Sequence, residues 1–238
     1  MKPPQGTERV TYVRHMFARI AGRYDLLNRL MTFGRDRAWR SEVIQHLQPQ
    51  SGQRILDLGS GTGDLALQLL VTTPGTQVIA ADLTLEMMLV GKQRPGGDQI
   101  LWVVADAGHL PFDSGTFDGV VSGYLLRNVP DVDATLAEHQ RVTTPAGRIV
   151  SLDTTPPQRN IFLPFIRFYL RFIIPLLGKL VAGDSEAYTY LPETTAQFLT
   201  AEALAERMQQ AGFTVEGFVR RMFGTMAIHW GHKKSTDF

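Results

Sequence analysis

Short apolar runs alternate with stretches of helical periodicity along most of the chain. The runs predict strands near 54–58, 77–81, 100–104, 117–122, 147–153, 214–222 and 225–230. Apolar positions at helical spacing predict helices over 11–48, with breaks near Gly22 and Gly34, and over 65–70, 131–142 and 201–211. Strands that alternate with helices in this way are typical of an α/β fold with a mostly parallel sheet and helices on both faces.

The composition narrows the class of protein. A length of 238 residues suffices for one large α/β domain with an ample core. The formal net charge of +1 gives no general attraction to nucleic acid, and the absence of cysteine excludes disulfides, thiolate metal sites and cysteine nucleophiles. The first residues contain no apolar segment of the kind found in a secretory signal. We therefore expect a cytoplasmic protein that does not bind nucleic acid.

The most specific chemical signal is the sequence D-L-G-S-G-T-G at 57–63, which joins the first strand to a helix. Its three glycines allow left-handed backbone angles and let a ligand approach the helix N-terminus. The dinucleotide fingerprint G-x-G-x-x-G needs its third glycine at position 64, which is Asp64 here. The pattern instead resembles the first motif of S-adenosylmethionine-dependent methyltransferases. Asp57 beside this loop suits a ligand that carries an ammonium and a sulfonium group.

Two further acids follow strands and complete a predicted cofactor site. Asp82 lies 21 residues beyond Gly61. A carboxylate at this position accepts hydrogen bonds from the ribose hydroxyls in NAD enzymes and in methyltransferases alike. Asp106 distinguishes the methyltransferases from the NAD enzymes, because in the methyltransferases an Asp at this position accepts a hydrogen bond from the adenine amino group. The alternative is that Asp106 only caps its own loop and binds no ligand. The predicted S-adenosylmethionine site comprises Asp57, Gly59, Gly61, Thr62, Gly63, Asp82, Leu83, Asp106, Ala107 and Gly123.

Three longer segments resemble one methyltransferase family. The pattern Y-D-x-x-N at 24–28 with R-x-W at 37–39, the sequence L-R-N-V at 126–129, and L-V-A-G-D-S-E-A-Y-T-Y-L at 180–191 are similar to the UbiE/MenG-type C-methyltransferases of ubiquinone and menaquinone biosynthesis. The resemblance implies a Rossmann-like class I fold with seven strands, of which the last is antiparallel. It also implies a helical cap at 1–50 and a methyltransferase domain at 51–238 with a lid insert at about 156–199.

This resemblance implies methyl transfer to a ring carbon of a prenylated hydroquinone, with demethylmenaquinol as the leading acceptor. Arg127 would hold the quinolate oxygen. Because a guanidinium stays protonated in proteins, the ring proton would pass to a water that Arg127 and Asn128 orient, or to a nearby carboxylate. The candidate substrate-binding residues are Tyr24, Asp25, Asp153, Tyr188 and Tyr190. Asp153 stands where the family often has Glu, and Gly123 stands where it tends to have serine.

Other functions remain open from the sequence. One is a methyltransferase for another lipid or small aromatic, including a benzoquinol, and another is a non-catalytic S-adenosylmethionine-binding scaffold of a quinone-synthesis complex. The sequence leaves open whether the chain forms a homodimer. No metal site is predicted, because His229 and His232 would point to opposite sides of one strand.

The segment 161–181 is strongly apolar, with aliphatic and aromatic side chains at helical spacing. Pro164, Arg167, Arg171, Pro175 and Lys179 interrupt it, so it does not predict a membrane-spanning helix. Arg167 and Arg171 share one helical face, as in an interfacial helix or an apolar lid, although a core-facing helix is equally compatible. The prenyl tails of the family's substrates favour a lid, and we expect peripheral contact with a membrane surface.

Overall fold

A computed structural model describes residues 6–158, 161–182, 190 and 194–234. Its strands are β1 (Arg54–Leu58), β2 (Gln77–Asp82), β3 (Leu101–Val104), β4 (Phe117–Gly123), β5 (Thr143–Thr154), β6 (Phe213–Arg221) and β7 (Met226–Lys233). They form one sheet in the order β3-β2-β1-β4-β5-β7-β6. β7 runs antiparallel to its neighbours β5 and β6, and the remaining pairs are parallel. The predicted class I sheet with its antiparallel last strand is confirmed.

Helices cover the sheet and its carboxyl edge. In the described part of the chain they are α1 (Gly6–Ile20), α2 (Tyr24–Met31), α3 (Asp36–Leu47), α4 (Asp64–Thr72), α5 (Leu85–Lys92), α6 (Val132–Val142), α7 (Leu163–Phe168), α8 (Ile174–Ala182) and α9 (Ala201–Gln210). Side-chain caps begin two of them: Asp131 accepts the Ala134 N–H at 3.0 Å, and Thr200 accepts the Ala203 N–H at 3.2 Å. Such caps satisfy amide groups that the first helical turn leaves unpaired.

The central strands β1, β2, β4 and β5 are mostly buried on both faces, as the strands of parallel sheets usually are. Within β1, Ile55 packs with residues of α3 and α4, whereas Leu56 and Leu58 belong to a second cluster on the opposite face. This division follows from the alternation of side chains along a strand. Trp39 and Val43 of α3 belong to the first cluster. α3 is therefore part of the layer that covers the sheet, although it lies in the segment predicted as a cap.

α1 and α2 form the cap proper, together with α7, α8 and the π-helical turn Tyr169–Ile173 that joins those two helices. Met16 and Leu27 of the cap are fully buried against this segment. The Tyr169 hydroxyl donates to the Met31 carbonyl at 2.6 Å. One side of the apolar insert thus faces the cap, and the other carries exposed side chains that include Phe168. No helix in the described ranges is both long and apolar enough to cross a bilayer.

Candidate active site

The loop between β1 and α4 turns tightly at the carboxyl edge of the sheet. Gly59, Gly61 and Gly63 have φ angles of 69°, 56° and 77°, which L side chains rarely adopt. A Cβ atom on Gly59 would lie 2.8 Å from the Leu125 side chain, and one on Gly63 would lie 2.5 Å from Trp102. Gly59 and Gly63 therefore require glycine both for their backbone angles and for their packing.

A cleft of about 760 Å³, open to solvent, lies at this edge, and we call it the donor cleft. Residues of α1 and α2, among them Phe17 and Tyr24, cover it. The predicted cofactor residues that line it are Gly59, Gly61, Asp82, Leu83, Asp106, Ala107 and Gly123. These residues follow four different strands. They meet because the carboxyl ends of parallel strands share one edge of the sheet.

The two acids of the donor cleft already bond to the backbone. Asp82 accepts the Gly61 N–H at 2.8 Å and the Thr84 N–H at 2.7 Å through different oxygens. The Leu83 N–H and the Thr84 hydroxyl also hydrogen-bond to this carboxylate, so the hydroxyl groups of a ligand would share its oxygens with the chain. Asp106 is exposed and accepts the Gly108 N–H at 2.8 Å. It therefore caps its loop, as in the alternative interpretation, while it also lines the cleft.

Asp57 and Thr62 line a smaller cavity next to the glycine loop. Asp57 is 1% exposed and accepts the Ala66 N–H of α4 at 3.0 Å. Burial raises the pKa of Asp57 to about 7, although that hydrogen bond opposes the shift. A cationic group in the small cavity would stabilise the ionised carboxylate. Gly63 precedes α4 as its N-cap residue and is not part of either lining.

An ionic cluster joins the N-terminal helices to the glycine loop, and sequence reasoning missed most of it. Arg40 pairs with Asp36 at 2.5 Å and with Asp64 at 3.1 Å. Arg94 pairs with Asp64 at 2.6 Å and with Asp25 at 3.2 Å. Burial raises the pKa of Asp64, but the two guanidinium groups outweigh it and lower that pKa. Asp36 and Arg40 are four residues apart in one helix, a spacing that indicates an ion pair. The contacts of Arg94 depend on tertiary packing alone.

Asp25 was expected in the substrate wall and instead belongs to this ionic cluster. Its carboxylate accepts the Thr62 hydroxyl at 2.6 Å and contacts Arg94. Burial and the neighbouring Asp64 raise the pKa of Asp25. Asp25 is not part of the lining of the donor cleft or of the small cavity. The pair of Asp25 and Thr62 ties the glycine loop to α2.

A mostly apolar cavity of about 880 Å³ lies beside the donor cleft, and we call it the acceptor cavity. Its apolar walls come from α2, from the insert and from the turn before β7, and they include Met31, Phe33, Phe165, Ile166, Leu170, Ile174, Met222 and Phe223. Tyr24 and Tyr124 line both the acceptor cavity and the donor cleft. These two rings therefore form the boundary between the two spaces.

Arg127 contributes a buried positive charge to the acceptor cavity. Its guanidinium lies 5.3 Å from the centroid of the Tyr124 ring, within the range of a cation–π contact. Its backbone N–H donates to Asp153 at 3.2 Å, and its Nε lies 3.9 Å from that carboxylate. Asn128 lines the donor cleft, and its amide donates to the Tyr124 carbonyl at 2.8 Å.

Asp153 was expected to bind substrate, but its carboxylate is committed within the protein. It is 1% exposed and accepts the backbone N–H groups of Arg127 and Thr154. Burial raises the pKa of Asp153, and Arg127 opposes that shift. Asp153 is not part of the acceptor-cavity lining. Its contacts fit a role in positioning Arg127.

The three tyrosines expected at the substrate have different locations. Tyr24 borders both cavities, whereas Tyr190 is buried in the cap with its ring centroid 5.5 Å from that of Tyr12. Tyr188 lies outside the described residues. Sequence reasoning missed Tyr124 and Thr154, which add polar groups to the acceptor cavity. Neither residue stands in a pattern that identified it beforehand.

Within the part of the chain that the structure describes, no cluster of three or more His, Asp or Glu side chains could hold a metal ion. The Nε2 atom of His229 lies 2.8 Å from the Ala201 carbonyl oxygen, whereas the Nδ1 atom of His232 lies 3.0 Å from a carboxylate oxygen of Glu216. The two histidines thus have separate partners.

Comparison with known proteins gives a match along nearly the whole chain. Residues 5–233 match the ubiE/COQ5 methyltransferase family. The chain is 47% identical over 221 residues to the ubiquinone/menaquinone biosynthesis C-methyltransferase UbiE of Desulfotalea psychrophila, covering 93% of this chain and 90% of that protein. It is 41% identical over 220 residues to the demethylmenaquinone methyltransferase of Thermus thermophilus, covering 92% of this chain and 100% of that protein.

Solved structures share the fold at low sequence identity. A SAM-dependent methyltransferase from Aquifex aeolicus superposes with a TM-score of 0.63 at 15% identity, covering 87% of this chain and 97% of that one. Phosphoethanolamine N-methyltransferase 2 of Haemonchus contortus, in complex with S-adenosyl-L-methionine, superposes with a TM-score of 0.63 at 16% identity. The match covers 83% of this chain and 53% of that one. These likenesses establish the Rossmann-like class I fold.

Proposed function

Because the chain belongs to the ubiE/COQ5 methyltransferase family, we propose that it transfers a methyl group from S-adenosylmethionine to a ring carbon of demethylmenaquinol. One observation carries this proposal. The donor cleft, with its carboxylates, and the acceptor cavity, with its buried guanidinium, share Tyr24 and Tyr124 as a common boundary. A polar cationic donor and an apolar aromatic acceptor would meet at that boundary. Relatives named demethylmenaquinone methyltransferase support the choice of acceptor.

The chemistry of the donor cleft fits S-adenosylmethionine. Asp82 would share its carboxylate oxygens with the ribose hydroxyls, and Asp106 would accept a hydrogen bond from the adenine amino group. Asp57, in the smaller cavity next to the glycine loop, suits the ammonium group, which would add to Arg40 in stabilising the ionised carboxylate. Gly59 and Gly61 let the ligand approach the backbone. When bound, S-adenosylmethionine supplies an electrophilic methyl group on a positively charged sulfur.

Arg127 is the residue that would activate the acceptor. A ring carbon becomes more nucleophilic when the quinol oxygen carries negative charge, and a buried guanidinium stabilises such charge far better than one in water. The guanidinium is not a proton acceptor, because it stays protonated in proteins. The proton that the ring carbon loses would pass to a water that Arg127 and Asn128 orient or to a nearby carboxylate. We propose that Asp153 holds Arg127 in place through the contacts described above. Most of the rate enhancement would then come from positioning and charge stabilisation.

Methyl transfer by the purified chain tests this function. We expect a demethylmenaquinone analogue, reduced with dithionite, to gain one methyl group by mass spectrometry in the presence of S-adenosylmethionine. Arg127→Ala should lower kcat by about 10²–10³-fold, as removal of an oxyanion-stabilising donor does. Arg127→Lys, which keeps the charge but loses the planar donor array, should fall between that variant and the wild type. Calorimetry that shows binding of NADH and none of S-adenosylmethionine would contradict the proposal.

We also propose that the outer surface of the insert lies on a membrane. Phe165, Phe168 and Phe172 are 62%, 52% and 56% exposed, and the exposed Arg167 and Arg171 lie among them. Exposed aromatic groups with basic neighbours suit an interface with anionic lipid headgroups. Phe165 also lines the acceptor cavity. A prenyl tail in the bilayer would therefore have a short path from this surface into the cavity.

A further inference from the structure

Several residues that line the acceptor cavity carry buried polar atoms without hydrogen-bond partners among the described residues. They belong to Asn28, Tyr124, Arg127 and Thr154. The Asn28 side chain faces the Tyr24 hydroxyl, and the Arg127 Nε faces Asp153. Among the described residues that line this cavity, Tyr124 and Thr154 are thus the two whose hydroxyl groups have no partner within the chain.

These two hydroxyl groups destabilise the folded protein. Tyr124 is 8% exposed and Thr154 is 4% exposed. A buried hydroxyl without a partner loses its hydrogen bonds to water and gains none in return. Phe and Val would fill nearly the same volumes without that cost. Because both residues line the acceptor cavity, a molecule that binds there would supply the missing partners.

The backbone at Tyr124 is held in an unfavourable conformation. Its φ angle is 62°, although it is not a glycine. Its N–H donates to the Leu152 carbonyl at 2.7 Å, and its carbonyl accepts the Asn128 amide at 2.8 Å. Strained residues that their surroundings fix in this way concentrate at binding and catalytic sites. Here the strain places the ring at the boundary between the two cavities.

We propose that Tyr124 and Thr154 recognise the acceptor, with their hydroxyl groups hydrogen-bonded to the ring oxygens of the hydroquinone. This inference rests on the proposed function and adds two residues that determine acceptor specificity. Burial raises the pKa of Tyr124, so its hydroxyl is a neutral group that can both donate and accept. The apolar walls would admit any flat aromatic with a prenyl tail. The two hydroxyl groups would make the cavity prefer a ring that carries oxygen.

Acceptor binding tests the inference independently of turnover. Calorimetry in the presence of S-adenosylhomocysteine compares a geranyl-substituted naphthohydroquinone with the geranyl-substituted naphthalene that lacks both ring oxygens. We expect the wild type to bind the hydroquinone more tightly. Tyr124→Phe and Thr154→Val should each reduce that preference by about tenfold. Neither should lower the melting temperature, because neither removes a hydrogen bond within the protein.

Tyr169→Phe is the matched control, because it removes a hydroxyl from the same cavity wall that is already bonded to the Met31 carbonyl. It should lower the melting temperature by about 2–4 °C and keep the preference for the oxygenated ring. The inference fails if Tyr124→Phe and Thr154→Val retain the wild-type preference. If the wild type shows the preference but transfers no methyl group to the hydroquinone, the proposed function fails and the recognition pair stands.

Discussion

Replacing Asp57 by Asn tests how burial sets the charge beside the glycine loop. Burial raises the pKa of Asp57 from 3.8 to about 7 in the folded state. At Asp57 the folded protein therefore binds more protons than the unfolded chain between these values, so the contribution of this residue to wild-type stability falls as pH rises from about 4 to 7. A difference of about three pKa units corresponds to about 4 kcal/mol. That cost is fully present above about pH 7, and Asp57→Asn should remove it.

Urea unfolding of both proteins, followed by tryptophan fluorescence between about pH 5 and 8, measures this difference. Asn retains an oxygen that can accept the Ala66 N–H, which Asp57 accepts at 3.0 Å. The stability of the variant relative to the wild type should rise by about 1.4 kcal/mol per pH unit up to about pH 7 and then level off. Asp131→Asn is the control, because that exposed carboxylate also accepts a single amide. Parallel pH profiles for wild type and Asp57→Asn would refute the reasoning.

Three further substitutions test the loop, the ionic cluster and the membrane surface. Gly63→Ala should lower the free energy of unfolding by about 2–4 kcal/mol, because it combines an unfavourable φ angle with a steric clash. Arg40→Met should lower the free energy of unfolding by about 3–5 kcal/mol, because it leaves the buried Asp36 without its cation and Asp64 with Arg94 alone. Urea unfolding measures both. Phe165→Ser combined with Phe168→Ser should weaken binding to vesicles that contain phosphatidylglycerol by about tenfold or more, as measured by co-sedimentation.

The loop and membrane-surface tests each have a control in the same chain. Gly52 also has a positive φ angle, of 87°, but a Cβ there would meet no atom within 4 Å, so Gly52→Ala should cost less than Gly63→Ala. Equal costs would mean that the clash with Trp102 is unimportant. A stable Arg40→Met variant would show that the cluster does not need its cation. Val71→Ser changes an apolar residue that is 80% exposed on α4, outside the insert. If it weakens vesicle binding as much as the double variant does, the insert is not the membrane surface.

The sequence alone was informative where function depends on local order along the chain. Asp82 and Asp106 each follow an apolar run, and the glycine loop follows another. Parallel strands carry whatever follows them to one shared edge, so these residues had to converge once the alternation of strands and helices was recognised. The antiparallel last strand and the helical insert were anticipated in the same way, from the resemblance and from helical spacing.

Tertiary structure alone decided the partners of side chains that lie far apart in sequence. Asp25 meets Thr62 across 37 positions and Arg94 across 69, which turns an expected substrate contact into part of an ionic cluster. Tyr190 is drawn into the cap, and the hydroxyl of Tyr124 is left unsatisfied at the boundary of two cavities. A pattern of residue types specifies which face of an element is buried. Which polar group finds a partner depends on how the elements pack, and only the folded chain determines that.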